Sequence, residues 1–160
     1  EPLARHFAGA GDAQKAAVHA RTAAARALET LAALDALGPP EGFMEGCLQR
    51  ALQTDQGLLV VAQAADAAEG APPLGYCFVA PHADPLSGVT TPMILLLSVE
   101  PDARHRGLAG ALVQEAQRRL IKRGMTKLTA RCAHGDDALI SMGERWGFLR
   151  EWEFLAREGL

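Results

Sequence analysis

The sequence is short of several things, and each shortage closes off a class of function. It has three cysteines, Cys47, Cys77 and Cys132, an odd number set far apart with no Cys-x-x-Cys spacing. They read as reduced thiols in a reducing compartment, not as a disulfide framework. Cys132-x-His134 lacks further ligands at metal spacing, so no metal site is expected. Positive charge is not in excess, because 16 Lys and Arg against 19 Asp and Glu leave a net charge of -3. No overall cationic field therefore points to nucleic acid or to anionic lipid. No apolar run approaches the about 20 residues that span a bilayer, and no secretory leader is visible. No membrane partner is expected, and a cytoplasmic location is.

Three common catalytic signatures are absent as well. No Gly-x-Ser-x-Gly elbow surrounds Ser87, Ser98 or Ser141, which argues against a serine hydrolase of that type. No phosphate-binding loop ending in Gly-Lys-Ser/Thr occurs. Gly9-Ala10-Gly11 has Gln14 where a dinucleotide loop needs its third glycine, and no convincing strand precedes it. The chain has no internal repeat and no low-complexity tract beyond an alanine bias near its start.

What is present is an ordinary globular composition, 49% apolar and 22% charged over 160 residues, which suits one domain across 1–160. Ala13 to Leu37 is expected as a helix capped by Asp12, and Glu41 to Gln53 as a second. Gly57–Ala65 and Leu74–Ala80 are expected as an antiparallel hairpin, followed by a loop over Pro81–Pro92. No convincing strand is expected before Asp12.

The chain is organised around Met93 to Gly124. Ile94 to Val99 is apolar but for Ser98, as in a strand covered on both faces, and Pro101 ends it. Leu108, Leu112, Ala116 and Leu120 then recur every four residues, with Ala109, Val113 and Ile121 along one edge. Between strand and helix lies a basic, glycine-containing turn. A helix start leaves N–H groups unpaired and carries partial positive charge, so Arg104, His105, Arg106, Gly107, Leu108, Ala109 and Gly110 form a seat suited to phosphate oxygens. A plain solvated connection is the ordinary alternative for such a turn. Residues 104–123 hold Arg104, Arg106, Arg118, Arg119, Lys122 and Arg123 against one acid, Glu115, and this stripe suits an anionic cofactor. After Gly124, Lys127 to Ala133 is expected as a strand and Ala138 to Trp146 as a helix capped by Asp136 or Asp137. Phe148 to Glu158 is expected as the last strand or a tight pair of strands.

Val99-Glu100-Pro101, then Arg104-x-x-Gly107-x-Ala109 opening a helix, resembles the acetyl-coenzyme A signature of the GNAT superfamily of N-acetyltransferases. Gly147-Phe148 lies where that family's closing Gly-Phe falls, and Gly75 sits on the preceding strand as in many members. The resemblance is strongest over Gly57 to Phe148. It implies a single-domain α/β fold whose mixed, mostly antiparallel sheet has a central V-shaped splay, with helices on both faces. It further implies an acetyltransferase that binds acetyl-CoA and an amine acceptor and transfers the acetyl group directly in a ternary complex.

By the same resemblance, backbone groups of Leu97 and Val99 bind the pantetheine arm, with the Val99 N–H facing the thioester carbonyl. Glu100 is the first candidate for a base that deprotonates the amine, and His134 the second. A solvated carboxylate and an exposed loop histidine are the alternatives for these two. His82 and Asp84 are weaker candidates for the same work. Trp146 and Trp152 are candidates to line the acceptor pocket. The chain departs from the family at the leaving thiolate, where Asp136 replaces the usual Asn and Gly143 the usual Tyr. That departure raises a second reading, a non-catalytic acyl-CoA-binding module with the same fold. Acceptor and oligomeric state stay open, a homodimer included.

Overall fold

The computed structural model describes residues 6–7, 46, 57–67, 71–84, 87–132 and 136–151. Among the described residues five strands form one sheet in the order β1-β2-β3-β4-β5: His6–Phe7, Leu58–Gln63, Gly75–Ala83, Thr90–Val99 and Thr129–Ala130. The first four pair antiparallel, and β5 alone runs parallel to its neighbour β4. Two helices are described, α1 over Leu108–Lys122 and α2 over Asp137–Arg145. The mixed sheet expected from the sequence is therefore present.

Strands β2 and β3 explain why their sequences read as nearly continuous apolar runs. Leu58, Val60, Ala62, Cys77 and Val79 point to one face, where they pack with Leu108, Leu112, Ala116 and Leu120 of α1. Leu59, Val61, Tyr76, Phe78 and Ala80 point to the other and form a second buried cluster. A strand buried on both faces has no polar side to alternate with. The α1 stripe behaves as its spacing predicts, except at Ile121, which is 69% exposed.

Several expected boundaries move. Strand β1 exists before Asp12, pairing His6 with Gln63 and Phe7 with Ala62. Two residues are too few for a period to register, and the pairing edge of β2 selects them. Strand β3 continues through Pro81, His82 and Ala83, which were expected in a loop, because each finds a partner on β4 at Pro92, Thr91 and Thr90. Pro81 and Pro92 share one rung, so their missing donors fall together. The Asp84 carboxylate closes the connection by accepting from Ser87 N–H at 2.7 Å and Ser87 Oγ at 3.0 Å. Of the strand expected over Lys127–Ala133, the described residues pair only at Thr129 and Ala130. Residues 148–151 are not in a strand. The first expected helix lies outside the described residues; of the second only Gly46 is described, and it is helical.

The connection after β4 is a short 3-10 turn, Pro101–Ala103, whose Ala103 is buried under α1. Helix α2 is capped by Asp136, which accepts from Leu139 N–H at 2.9 Å. It closes with Gly147 N–H donating to Glu144 O and Phe148 N–H donating to Gly143 O, both at 3.0 Å. This pair of bonds is the Schellman closure, and it gives the Gly-Phe pair a structural task.

Candidate acyl-carrier site

The central feature of the site is a change of partner along β4. Between Phe78 and Val79 the register slips, since Phe78 faces Leu96 while Val79 faces Ile94, leaving Leu95 as an extra residue on β4. An extra residue bends and twists the strand that carries it. On the opposite edge, pairing with β5 covers only Met93 and Ile94, supported by Thr129 Oγ1 donating to Pro92 O at 3.2 Å. Pairing therefore ends at the bulge. From Leu95 to Val99, no rung of β5 faces β4 among the described residues.

Which backbone groups face that opening follows from a single hydrogen bond. Glu100 N–H donates to Leu74 O at 2.9 Å, on the β3 side. Successive residues of a strand direct their backbone groups to opposite sides, so Leu97 and Val99 direct theirs away from β3. Val99 confirms the direction, because its carbonyl accepts from Arg104 Nε at 3.0 Å instead of from a strand. Ile94, Leu95, Leu96, Leu97 and Val99 are only half-buried despite their apolar character. Leu97 and Val99 pack at the margin of the α1-side core.

The turn beyond this strand is assembled to leave its donors free of side chains. Gly107 occupies the N-cap of α1 in the left-handed region, φ 74°, and offers no side chain for capping. A Cβ built there would touch nothing within 4 Å, so conformation and not space selects glycine at 107. The Gly107 carbonyl accepts from Ala111 N–H at 3.1 Å, the first helical bond. Leu108, Ala109 and Gly110 thus lie ahead of the α-helical ladder, and the first turn carries no acidic residue. His105 also holds a positive φ, 59°, and Arg104, His105 and Arg106 are all exposed.

Other expected members of the site are placed differently. Arg118 and Arg119 belong to an ion pair with Glu115: Arg118 reaches its two oxygens at 2.7 and 2.6 Å, and Arg119 one of them at 2.7 Å. These bonds, that to Arg118 foremost, hold the Glu115 carboxyl down at about 2. Arg123 donates to Gly57 O at 3.1 Å. The basic stripe is thus divided, and the cations beside the α1 N-terminus are Arg104 and Arg106. His82 Nε2 lies 3.0 Å from Arg131 Nη2, and Asp84 is bound into its own loop. Tyr76 is buried in the cluster on the sheet face away from α1. Burial pushes the Cys77 thiol up to about 12, which rules it out as a thiolate nucleophile at neutral pH. His134 and Trp152 lie outside the described residues.

Sequence reasoning missed the role of Gly110. Its absent side chain leaves room for Trp146: a Cβ there would lie 2.9 Å from the indole Nε1. Trp146, expected to line an acceptor pocket, is seated at the first turn of α1. No sequence spacing links positions 36 apart on different helices.

An acyl-coenzyme A fits this arrangement on two grounds taken from the chain itself. Its amide-rich arm matches backbone groups that have left a sheet, and its diphosphate matches an uncapped helix start flanked by arginines. Among the described residues no group of three His, Cys, Asp or Glu gathers to hold a metal.

Residues 23–148 match the sequence profile of the Acetyltransferase (GNAT) family. The chain belongs to the GNAT family. Among curated members, an acetyltransferase of Sodalis glossinidius is 34% identical over 98 residues, 61% of this chain and 61% of the relative. An acetyltransferase of Yersinia enterocolitica is likewise 34% identical over 98 residues, 61% of this chain and 62% of the relative. Each match thus spans about three fifths of the relative's length. Solved GNAT-like structures agree with the fold. AAC(6′)-Iy in complex with the bisubstrate analogue CoA-S-monomethyl-acetylneamine superposes with a TM-score of 0.67 at 17% identity, covering 100% of both chains. The ribosomal-protein-alanine N-acetyltransferase of Brucella melitensis gives 0.55 at 16%, covering 97% of this chain and 99% of that one. No described helix is long and apolar enough to cross a membrane.

Proposed function

We propose that this chain is an acetyl-CoA-dependent N-acetyltransferase that moves an acetyl group directly to a primary amine. The observation that carries the reading is the opening of β4 from Leu95 to Val99 beside the uncapped start of α1. Acetyl-CoA supplies an activated acyl group whose thiol, with a pKa of about 8.5, leaves without strong acid assistance. The chain's own residues bind and orient it. The N–H groups of Leu108, Ala109 and Gly110, with Arg104, His105, Arg106 and Gly107 around them, take the diphosphate. The Leu97 and Val99 backbones take the arm, and one of their two N–H donors serves the thioester carbonyl, where negative charge grows on attack.

Glu100 takes the proton from the incoming ammonium. It stands at the turn end of β4, so the proton reaches it through water. Burial leaves the Cys77 thiol unsuited to act as an acyl carrier. The acceptor is a small molecule or a protein amine. The structural relatives span both kinds, one bound to the bisubstrate analogue CoA-S-monomethyl-acetylneamine and the other a ribosomal-protein-alanine N-acetyltransferase.

The test is release of free thiol from acetyl-CoA across a broad amine panel, with Glu100→Gln as the matched variant. Amine-dependent release that falls about 10²-fold in the variant supports the reading. Silence across the panel favours the second reading, an acyl-CoA-binding module without catalysis. Its supporting observation is that Gly143 carries no hydroxyl while the chain's one tyrosine, Tyr76, is buried on the far sheet face.

A further inference from the structure

Helix α1 begins without a side-chain cap, and of its first three residues only Leu108 is buried in the core. Its N-cap is a glycine, no side chain bonds back to the turn, and no acidic residue faces the exposed N–H groups. Helix ends without such partners fray. Yet Leu108, Ala109 and Gly110 must keep their N–H groups aimed if they are to hold a diphosphate. Leu108 anchors one side of that turn, and the side at Gly110 needs a contact of its own.

Trp146 is the side chain in contact there. Positions measured from an ideal Cβ on Gly110 put the indole Nε1 at 2.9 Å, Cδ1 at 3.5 Å and Cε2 at 3.6 Å, so the edge of the five-membered ring rests on the glycine. Any larger residue at 110 displaces it. Trp146 is itself anchored from the other side, since it is the C-cap of α2 and its N–H donates to Met142 O at 3.1 Å and Gly143 O at 2.9 Å. The Schellman bonds of Gly147 and Phe148 then close the helix immediately after it. The backbone of Trp146 is fixed by α2 and its ring by α1. A half-buried indole in such contact supplies packing that a missing cap cannot.

We propose that Trp146 is a positioning residue for the acyl-carrier turn: seated on Gly110, it holds the first turn of α1 and ties α2 to it. The inference rests on the reading that this turn binds acyl-CoA. Trp146 acts through Gly110 and does not touch the reacting atoms. It also gives the interval between the turn and the Gly-Phe pair a physical meaning, because Trp146 is delivered by the helix that Gly147-Phe148 terminates.

The test is calorimetric binding of free CoA to the full chain and its variants, with thermal unfolding alongside. Trp146→Ala weakens CoA about tenfold while the protein still unfolds cooperatively, and Trp146→Phe recovers affinity to within about threefold of wild type. Gly110→Ala weakens CoA by a similar factor, because its Cβ evicts the indole. The double variant Trp146→Ala with Gly110→Ala is no weaker than the weaker single variant, since the clash disappears with the ring. Unchanged affinity in Trp146→Ala overturns the proposal, as does strict additivity in the double variant or failure of Trp146→Phe to recover. If Trp146→Ala does not fold, Gly110→Ala and Trp146→Phe carry the same decision. Absence of CoA binding by the wild-type chain sinks the acyl-CoA reading itself, and that result is distinct from binding that ignores Trp146.

Discussion

Replacing Gly75 with alanine should damage the acyl-carrier site from the neighbouring strand. Gly75 pairs with Val99 at the end of the β3–β4 ladder. A Cβ at position 75 would lie 2.7 Å from the Ser98 carbonyl oxygen, 3.2 Å from Leu112 Cδ1 and 3.3 Å from Val99 Cα. The tightest of these is backbone, which cannot swing aside as a side chain can. Strand β4 must shift, and it shifts where Leu97 and Val99 present their groups to the opening. Overpacking of this kind costs about 1–3 kcal/mol, against which alanine recovers about 0.5–1 kcal/mol of backbone entropy. The net loss is of order 1–2 kcal/mol, or about 2–8 °C in Tm for a chain of this length. Thermal unfolding and CoA titration on the same preparation make the assay. Lower Tm with weakened CoA binding is expected. A Gly75→Ala protein with wild-type Tm and wild-type affinity would refute the steric reasoning and the link between β3 and the opening.

The other predictions differ in sign and place. Gly143→Ala should raise stability by about 0.5–1 kcal/mol, because the nearest atom to a Cβ there is Phe148 Cβ at 3.9 Å and alanine is the better helix former; denaturant titration reads it. Glu115 has its carboxyl held below its ordinary value of 4.5, at about 2, so its contribution is complete above pH ~4.5 and is lost as pH falls towards 2. Arg118 is 53% exposed, so solvent screens its share of the pair. Glu115→Gln should therefore be less stable than wild type at pH 7, with the gap narrowing at pH 3; a gap constant across that range contradicts the assignment. Gly107→Val forces a branched side chain into φ 74°, which costs about 1–2 kcal/mol and misaims the N–H groups after it. CoA affinity should fall with little change in secondary structure by circular dichroism, and unchanged affinity would remove Gly107 from the site.

The part of this architecture written most plainly in the sequence is the part governed by local rules. Helix α1 follows from the four-residue recurrence of Leu108, Leu112, Ala116 and Leu120, and its start follows from Gly107. Asp136 as the cap of α2 is likewise a local choice. What could not be read depends on partners distant in the chain. The two residues of β1 are recruited by β2, and Pro81–Ala83 are drawn into β3 by Pro92, Thr91 and Thr90 against their own preference. The bulge at Leu95 has no signature inside a run of leucines, although it marks where β5 and β4 part. Charge counting does not show that Arg118 and Arg119 face a carboxylate one turn back on their own helix. The space a side chain at Gly110 would fill is taken by Trp146 from another helix, which no local pattern announces. The pattern of residues indicated the chemistry, and the tertiary contacts decided which of them remain available for it.

The central claim concerns five backbone amides, those of Leu97, Val99, Leu108, Ala109 and Gly110. Titrating CoA into isotopically labelled protein and following amide resonances tests it directly. Saturable shifts concentrated on these five, with the β1–β2 end of the sheet unmoved, are the predicted result. Saturable shifts confined to other residues, with these amides silent, would contradict the account.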